Sequence, residues 1–84
     1  MKIACRVIVR GVVQGVGFRP FVHATATELG LSGSVGNSAL GVVIDVEGDG
    51  ETIDAFVARV RNRPPPLARV ESVEREDSRP VGRE

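Results

Sequence analysis

The chain has 84 residues, Lys+Arg 11 against Asp+Glu 11, and 42% hydrophobic residues. That allows one domain with a real core and excludes both a disordered chain and the net basic field of general nucleic-acid binders. Gly or charged residues interrupt every apolar run before it reaches membrane-spanning length, and the lone Cys5 leaves neither an internal disulfide nor Cys/His metal-ligand spacing.

Ile3, Cys5, Val7 and Val9 alternate with Ala4, Arg6, Ile8 and Arg10, which predicts a strand whose odd positions face a core. The even face is the wetter one, with Ile8 as its exception. Gly11 to Gly17 is punctuated by glycines and must turn the chain. Pro20 suits the first turn of a helix. Phe18, Val22, Ala26 and Leu29 follow at near-helical spacing, and Gly30 is placed to end that helix. Ser32 to Asn37 predicts a short strand, Asn37 to Gly41 a turn, and Val42 to Val46 a second strand with Asp45 and Glu47 outward. Asp49 can cap a helix in which Ile53, Phe56, Val57 and Val60 form one apolar stripe. Arg63-Pro64-Pro65-Pro66 stops it. Leu67 to Glu76 predicts a last strand in which the Val70–Val73 spacing of three marks a bulge or an edge. The polar stretch from Asp77 to Glu84 is expected to fray.

The order β-α-β-β-α-β predicts an α+β, ferredoxin-like sandwich with both helices on one face of an antiparallel sheet. The fold alone assigns no activity.

Chemistry concentrates in Gln14-Gly15-Val16-Gly17-Phe18-Arg19. Glycines at a strand-to-helix turn let backbone N–H groups converge, the helix start adds free N–H groups and its positive dipole end, and Arg19 offers a guanidinium fork. Spacing leaves two readings open, an anion cradle or a plain tight turn with a solvated Arg19. The glycine intervals fit neither the dinucleotide fingerprint nor a P-loop.

Gly11-Val12-Val13-Gln14-Gly15-Val16-Gly17-Phe18-Arg19 resembles the signature of the acylphosphatase family, and Gly33-Ser34-Val35-Gly36-Asn37-Ser38-Ala39-Leu40-Gly41-Val42-Val43 resembles its second motif. The extension Pro20-Phe21-Val22 and the stretch Pro65 to Glu74 are most similar to the amino-terminal acylphosphatase-like domain of hydrogenase-maturation carbamoyltransferases (HypF). The resemblance implies hydrolysis of a small acyl phosphate, carbamoyl phosphate for a HypF-type domain. Arg19 and the 14–19 loop then hold the phosphate, and Asn37 orients the attacking water. It implies no cofactor and no metal. Residues 1–84 are expected to form a single domain, standing alone or opening a longer chain with further domains. Ser34 replaces a large aromatic common in stand-alone members, and Ser78 to Glu84 is too short and polar to supply the family's extra edge strand.

Each singled-out residue has a plainer reading. Asn is a usual hairpin-turn residue. Gln14 contributes loop geometry. His23 is expected in solvent. Cys5 belongs to the core face, with no base in view to make it a nucleophile. Phe18, Phe21 and Phe56 read as packing, and Asp45, Glu47, Asp49 and Glu51 as a solvated strand end and helix cap, not a metal cage. Two other functions stay in view. One is a phosphate- or carbamoyl-phosphate-binding module with little activity alone. The other is RNA recognition, disfavoured because the sheet-borne aromatics it needs are missing: all three Phe fall in or beside helices, and there is no Tyr or Trp. The expected partner is a small acyl phosphate, with neither nucleic acid nor membrane. The unpaired thiol and the absence of an apolar leader predict a cytoplasmic protein.

Overall fold

The computed structural model describes residues 1–79. Its elements are β1 (Lys2–Val12), α1 (Phe18–Glu28), β2 (Ser32–Ser38), β3 (Gly41–Asp49), α2 (Gly50–Asn62) and β4 (Arg69–Ser78). The strands form one sheet in the order β2-β3-β1-β4, antiparallel at every pairing. This is the α+β ferredoxin-like fold expected from the alternation of periods.

Register explains the core. Cys5 lies opposite Val46, Val7 opposite Ile44 and Val9 opposite Val42, so the odd positions of β1 and the even positions of β3 share one face. There they pack against Phe18 and Val22 of α1 and Ile53, Phe56, Val57 and Val60 of α2. Each fully buried side chain of this type contributes about 1.5–3 kcal/mol. The other face is open. Arg6 pairs with Asp45 at 2.8 Å and Arg10 with Glu74, and Ile8 lies opposite Val43 between these pairs.

The helices are capped unequally. Asp49 accepts from the Glu51 N–H at 3.2 Å, Glu51 lies in the first turn of α2, and Arg59 and Arg61 lie in its last, all favourable to the helix dipole. α1 has a sound C-terminus. The Leu31 N–H donates to the Ala26 carbonyl at 2.9 Å and the Gly30 N–H to Thr27 at 3.1 Å, a Schellman motif around Gly30. Its N-terminus has no side-chain cap.

Three details depart from expectation. β4 begins at Arg69 instead of Leu67, because the Ala68 N–H closes a turn onto the Pro65 carbonyl at 3.0 Å and leaves Leu67 exposed. It also runs on to Ser78. Asp77 is paired with Cys5 in the sheet and gripped by Arg75, which reaches Asp54 of α2 as well, so Asp77 is anchored and does not fray. The rest of the expected fraying tail, residues 80–84, lies outside the described residues, as does most of Ser78 to Glu84, expected to be too short and polar for an extra edge strand. Glu47, expected to be solvated, is only 1% exposed, and pairs with Ala4 of β1 and Ser32 of β2 in the sheet. The Val70–Val73 spacing marks both a bulge and an edge. Arg10 pairs with Ser72 and Gly11 with Val70, leaving Glu71 extra on the outermost strand. Gly11 is required there, since a Cβ would come within 2.1 Å of the Arg69 carbonyl oxygen.

Candidate functional site

The loop between β1 and α1 is staked at both ends. Val13 and Phe18 are buried at 2% and 1% exposure, and Val16 packs partly against the core between them. Gly15 and Gly17 bridge these anchors with φ of 73° and 78°. A Cβ at either would meet nothing within 4 Å, so glycine serves here for left-handed backbone and open space, not for a close approach.

This path leaves donors unused. The first helical bond of α1 runs from the Phe21 N–H to the Gly17 carbonyl at 3.2 Å. The N–H groups of Gly15, Val16, Gly17, Phe18 and Arg19 donate to no backbone carbonyl among the described residues. Pro20, within the first turn, has no N–H to satisfy. No acidic residue occupies that turn, so no carboxylate of its own first turn offsets the positive end of the helix dipole. Arg19 is exposed and makes no hydrogen bond or ion pair among the described residues. Arg6, Arg10, Arg59 and Arg75 are all engaged with carboxylates.

Asn37 reaches the same end of the sheet by register. It lies opposite Val42, which lies opposite Val9 on β1, in the last row that β1 and β3 share on the helix-bearing face, three residues before β1 ends at Val12. Asn37 is exposed. Ser38 follows it, and its carbonyl accepts from Gln14 Nε2 at 3.5 Å, which links the loop to the β2–β3 hairpin. Ser38 Oγ also accepts from the Leu40 N–H at 3.0 Å and lies 3.4 Å from the Gly41 carbonyl. This contact through a main-chain carbonyl escapes sequence reasoning altogether.

The remaining reactive side chains lie elsewhere. Cys5 is two residues before Val7 and four before Val9 along β1, away from the loop, and burial followed by its hydrogen bond to Asp77 pushes its thiol up to about 12. It is no nucleophile at neutral pH. His23 is exposed, at the rim of a groove of about 350 Å³ between α1 and β2 floored by Val22, Ile44 and Val46. Among the described residues no three or more His, Cys, Asp or Glu side chains gather as metal ligands, and no helix is long and apolar enough to cross a membrane. Phe18 and Phe56 are core, and Phe21 tilts against Phe18 with ring centroids 5.6 Å apart.

Among the described residues the site therefore offers five amides without an acceptor, a helix N-terminus and a guanidinium without a partner, with a side-chain carboxamide at the same end of the sheet. That set can bind a small oxyanion.

Comparison with known proteins agrees in sequence and in shape. The profile of the acylphosphatase family matches residues 5–84. The chain is 55% identical over 71 residues to a carbamoyltransferase HypF of Rhodobacter capsulatus, covering 84% of this chain and 9% of that protein. It superposes with a TM-score of 0.95 on full-length HypF in a phosphate- and nucleotide-bound form, at 33% identity, over 100% of this chain and 11% of that one. With an acylphosphatase of Bacillus subtilis the TM-score is 0.91 at 38% identity, covering 98% of this chain and 92% of the other. The chain thus spans about a tenth of the length of its HypF relatives and nearly all of a stand-alone relative. Signature, strand order and match over most of its length together make this chain a member of the acylphosphatase family.

Proposed function

We propose that the protein hydrolyses a small acyl phosphate to a carboxylate and inorganic phosphate, carbamoyl phosphate giving carbamate if it works as a HypF-type domain. The observation that carries this reading is that the amides of residues 15–19 and the adjacent Arg19 have no partner among the described residues. In the proposed mechanism the phosphoryl oxygens sit among the N–H groups of the Gln14–Arg19 loop, with Arg19 as the charged clamp. The side-chain amide of Asn37 holds a water in line with the scissile P–O bond. The water oxygen bonds to phosphorus as the P–O bond to the acyl group breaks, and the acyl oxygen leaves with the bonding pair as a carboxylate. A carboxylate leaves readily, so the protein needs to position water and offset charge, and needs neither a covalent nucleophile nor a strong base. This accords with an inert Cys5 and a His23 outside the loop. The deciding experiment is hydrolysis of acetyl, benzoyl and carbamoyl phosphate by wild type, Arg19→Ala and Asn37→Ala. Turnover by the folded wild type no faster than by both variants would remove the reading.

A second reading has its own support. HypF relatives are about ten times longer than this chain, and residues 1–84 as one domain of such an enzyme could bind phosphate or carbamoyl phosphate with little turnover alone. Arg19-dependent stabilisation by phosphate without catalysis on any of the three substrates selects that version. We place the protein in the cytoplasm, in keeping with its unpaired Cys5.

A further inference from the structure

The hydrogen bond between Gln14 and Ser38 joins the two halves of the proposed site, and we infer that Gln14 is a positioning residue that sets the distance between the phosphate loop and Asn37. This inference rests on the hydrolytic reading above and adds a residue to it.

The geometry carries the argument. Gln14 opens the loop, and its side-chain amide is turned onto the Ser38 carbonyl at 3.5 Å, 24 residues along the chain. It is thereby committed to β2 instead of to the centre of the cradle. Ser38 is the last residue of β2 and adjoins Asn37 directly. Its hydroxyl accepts from the Leu40 N–H at 3.0 Å, so the hairpin turn and the Ser38 peptide move as one piece. A tether on that peptide therefore limits how far the end of β2 can swing from the loop. Asn37 needs such a limit. It lies near the end of an edge strand, exposed, with no hydrogen bond from its own side chain among the described residues. A water-orienting amide works only while it stays in register with the phosphorus. The bond is long and exposed, so it adds little to folding, and catalytic hydrogen bonds that are long in the unliganded protein tighten in the reacting complex.

The test compares wild type, Gln14→Met, Asn37→Ala and the double variant Gln14→Met/Asn37→Ala. Methionine keeps the length of the side chain and removes the donor. Gln14→Met is expected to lower kcat for acetyl phosphate about 10-fold while the inhibition constant of inorganic phosphate stays within about twofold. The thermal midpoint should not change. Because Gln14 acts through Asn37, the same substitution should cost nothing further in the Asn37→Ala background. Wild-type turnover by Gln14→Met overturns the inference, and so does an equal loss in phosphate inhibition, which would make Gln14 a phosphate ligand. A full second loss on top of Asn37→Ala overturns it too. These outcomes leave the hydrolytic reading intact, whereas a wild type no faster than Arg19→Ala removes that reading and the inference with it.

Discussion

Replacing Arg19 with Ala separates an anion clamp from a solvated surface arginine. Arg19 makes no ion pair among the described residues and lies at an uncapped helix start. Its loss should leave the ligand-free protein as stable as before or slightly more so, since a cation near a helix N-terminus costs about 0.3–1 kcal/mol. Binding should behave oppositely. A charge-assisted hydrogen bond contributes about 1.5–3 kcal/mol, so Kd for inorganic phosphate should rise about 10- to 150-fold. At phosphate near 100 times the wild-type Kd, ligation stabilises the wild type by about 2.7 kcal/mol and the variant by about 0.3–1.4 kcal/mol. One kcal/mol moves the melting temperature of a domain this size by about 4–8 °C. The wild type should therefore gain about 11–22 °C from phosphate, and the variant between about a tenth and a half of that gain. Thermal melts of both proteins with and without phosphate, in matched chloride, read this directly. An equal phosphate shift in the two proteins refutes the clamp. A large drop in the ligand-free variant refutes the claim that Arg19 is structurally idle.

The two kinds of glycine should respond differently. Gly17→Ala meets open space, so its cost is the left-handed backbone alone, about 1–2 kcal/mol, with weakened phosphate protection. Gly11→Ala drives a Cβ into the Arg69 carbonyl and should loosen β4, seen as faster amide exchange along residues 69–78. Phe56→Ala, at 0% exposure, should cost about 3–5 kcal/mol in denaturant melts, and a loss below 1 kcal/mol would contradict the packing described. Acid should destabilise. Arg59 holds Glu28, the N-terminal ammonium holds Asp49, and Arg75 holds Asp77 below their ordinary carboxylate values. The stability they contribute is complete above those ordinary values and is lost as pH falls through the lower folded ones. The melting temperature should decline gently below about pH 4.5, less so in high salt because these pairs are exposed. Native Cys5 should resist iodoacetamide at neutral pH and react only as the protein unfolds, given its burial and raised pKa. Rapid native alkylation would contradict that placement.

How legible this molecule is in its sequence depends on whether a feature is set by local period or by distant backbone. Strict alternation in Ile3–Val9 and the Ile53–Phe56–Val57–Val60 stripe give faces that the register reproduces. Asp49 and Gly30 serve as the cap and the stop that their residue types suggest. β4 starts two residues later than the sequence predicts because the Pro65–Ala68 turn spends two more residues than the proline run alone requires. Glu47 is buried where alternation predicts solvent, because period alone fixes which face a strand residue takes and not how deeply that face is covered at that point. At the site, spacing leaves the glycine turn open between cradle and simple bend. The distinction lies in which amides find acceptors, and that depends on the three-dimensional path. The Gln14–Ser38 contact is beyond any side-chain pattern, because its acceptor is a main-chain oxygen on another strand.

The placement of β1 between β3 and β4 has a consequence for the protein's birth on the ribosome. One flank of β1 is filled by β4, which follows it much later in the chain, residues 4–12 pairing with 69–78. Such long-range closure is slow compared with local helix and hairpin formation. The emerging chain can assemble α1, the β2–β3 hairpin and α2 early, while β1 keeps one unpaired edge until residue 78 is free. The strand that leads into the 14–19 loop is thus the last to be enclosed, so under the proposed function competence for anion binding arrives together with completion of the sheet.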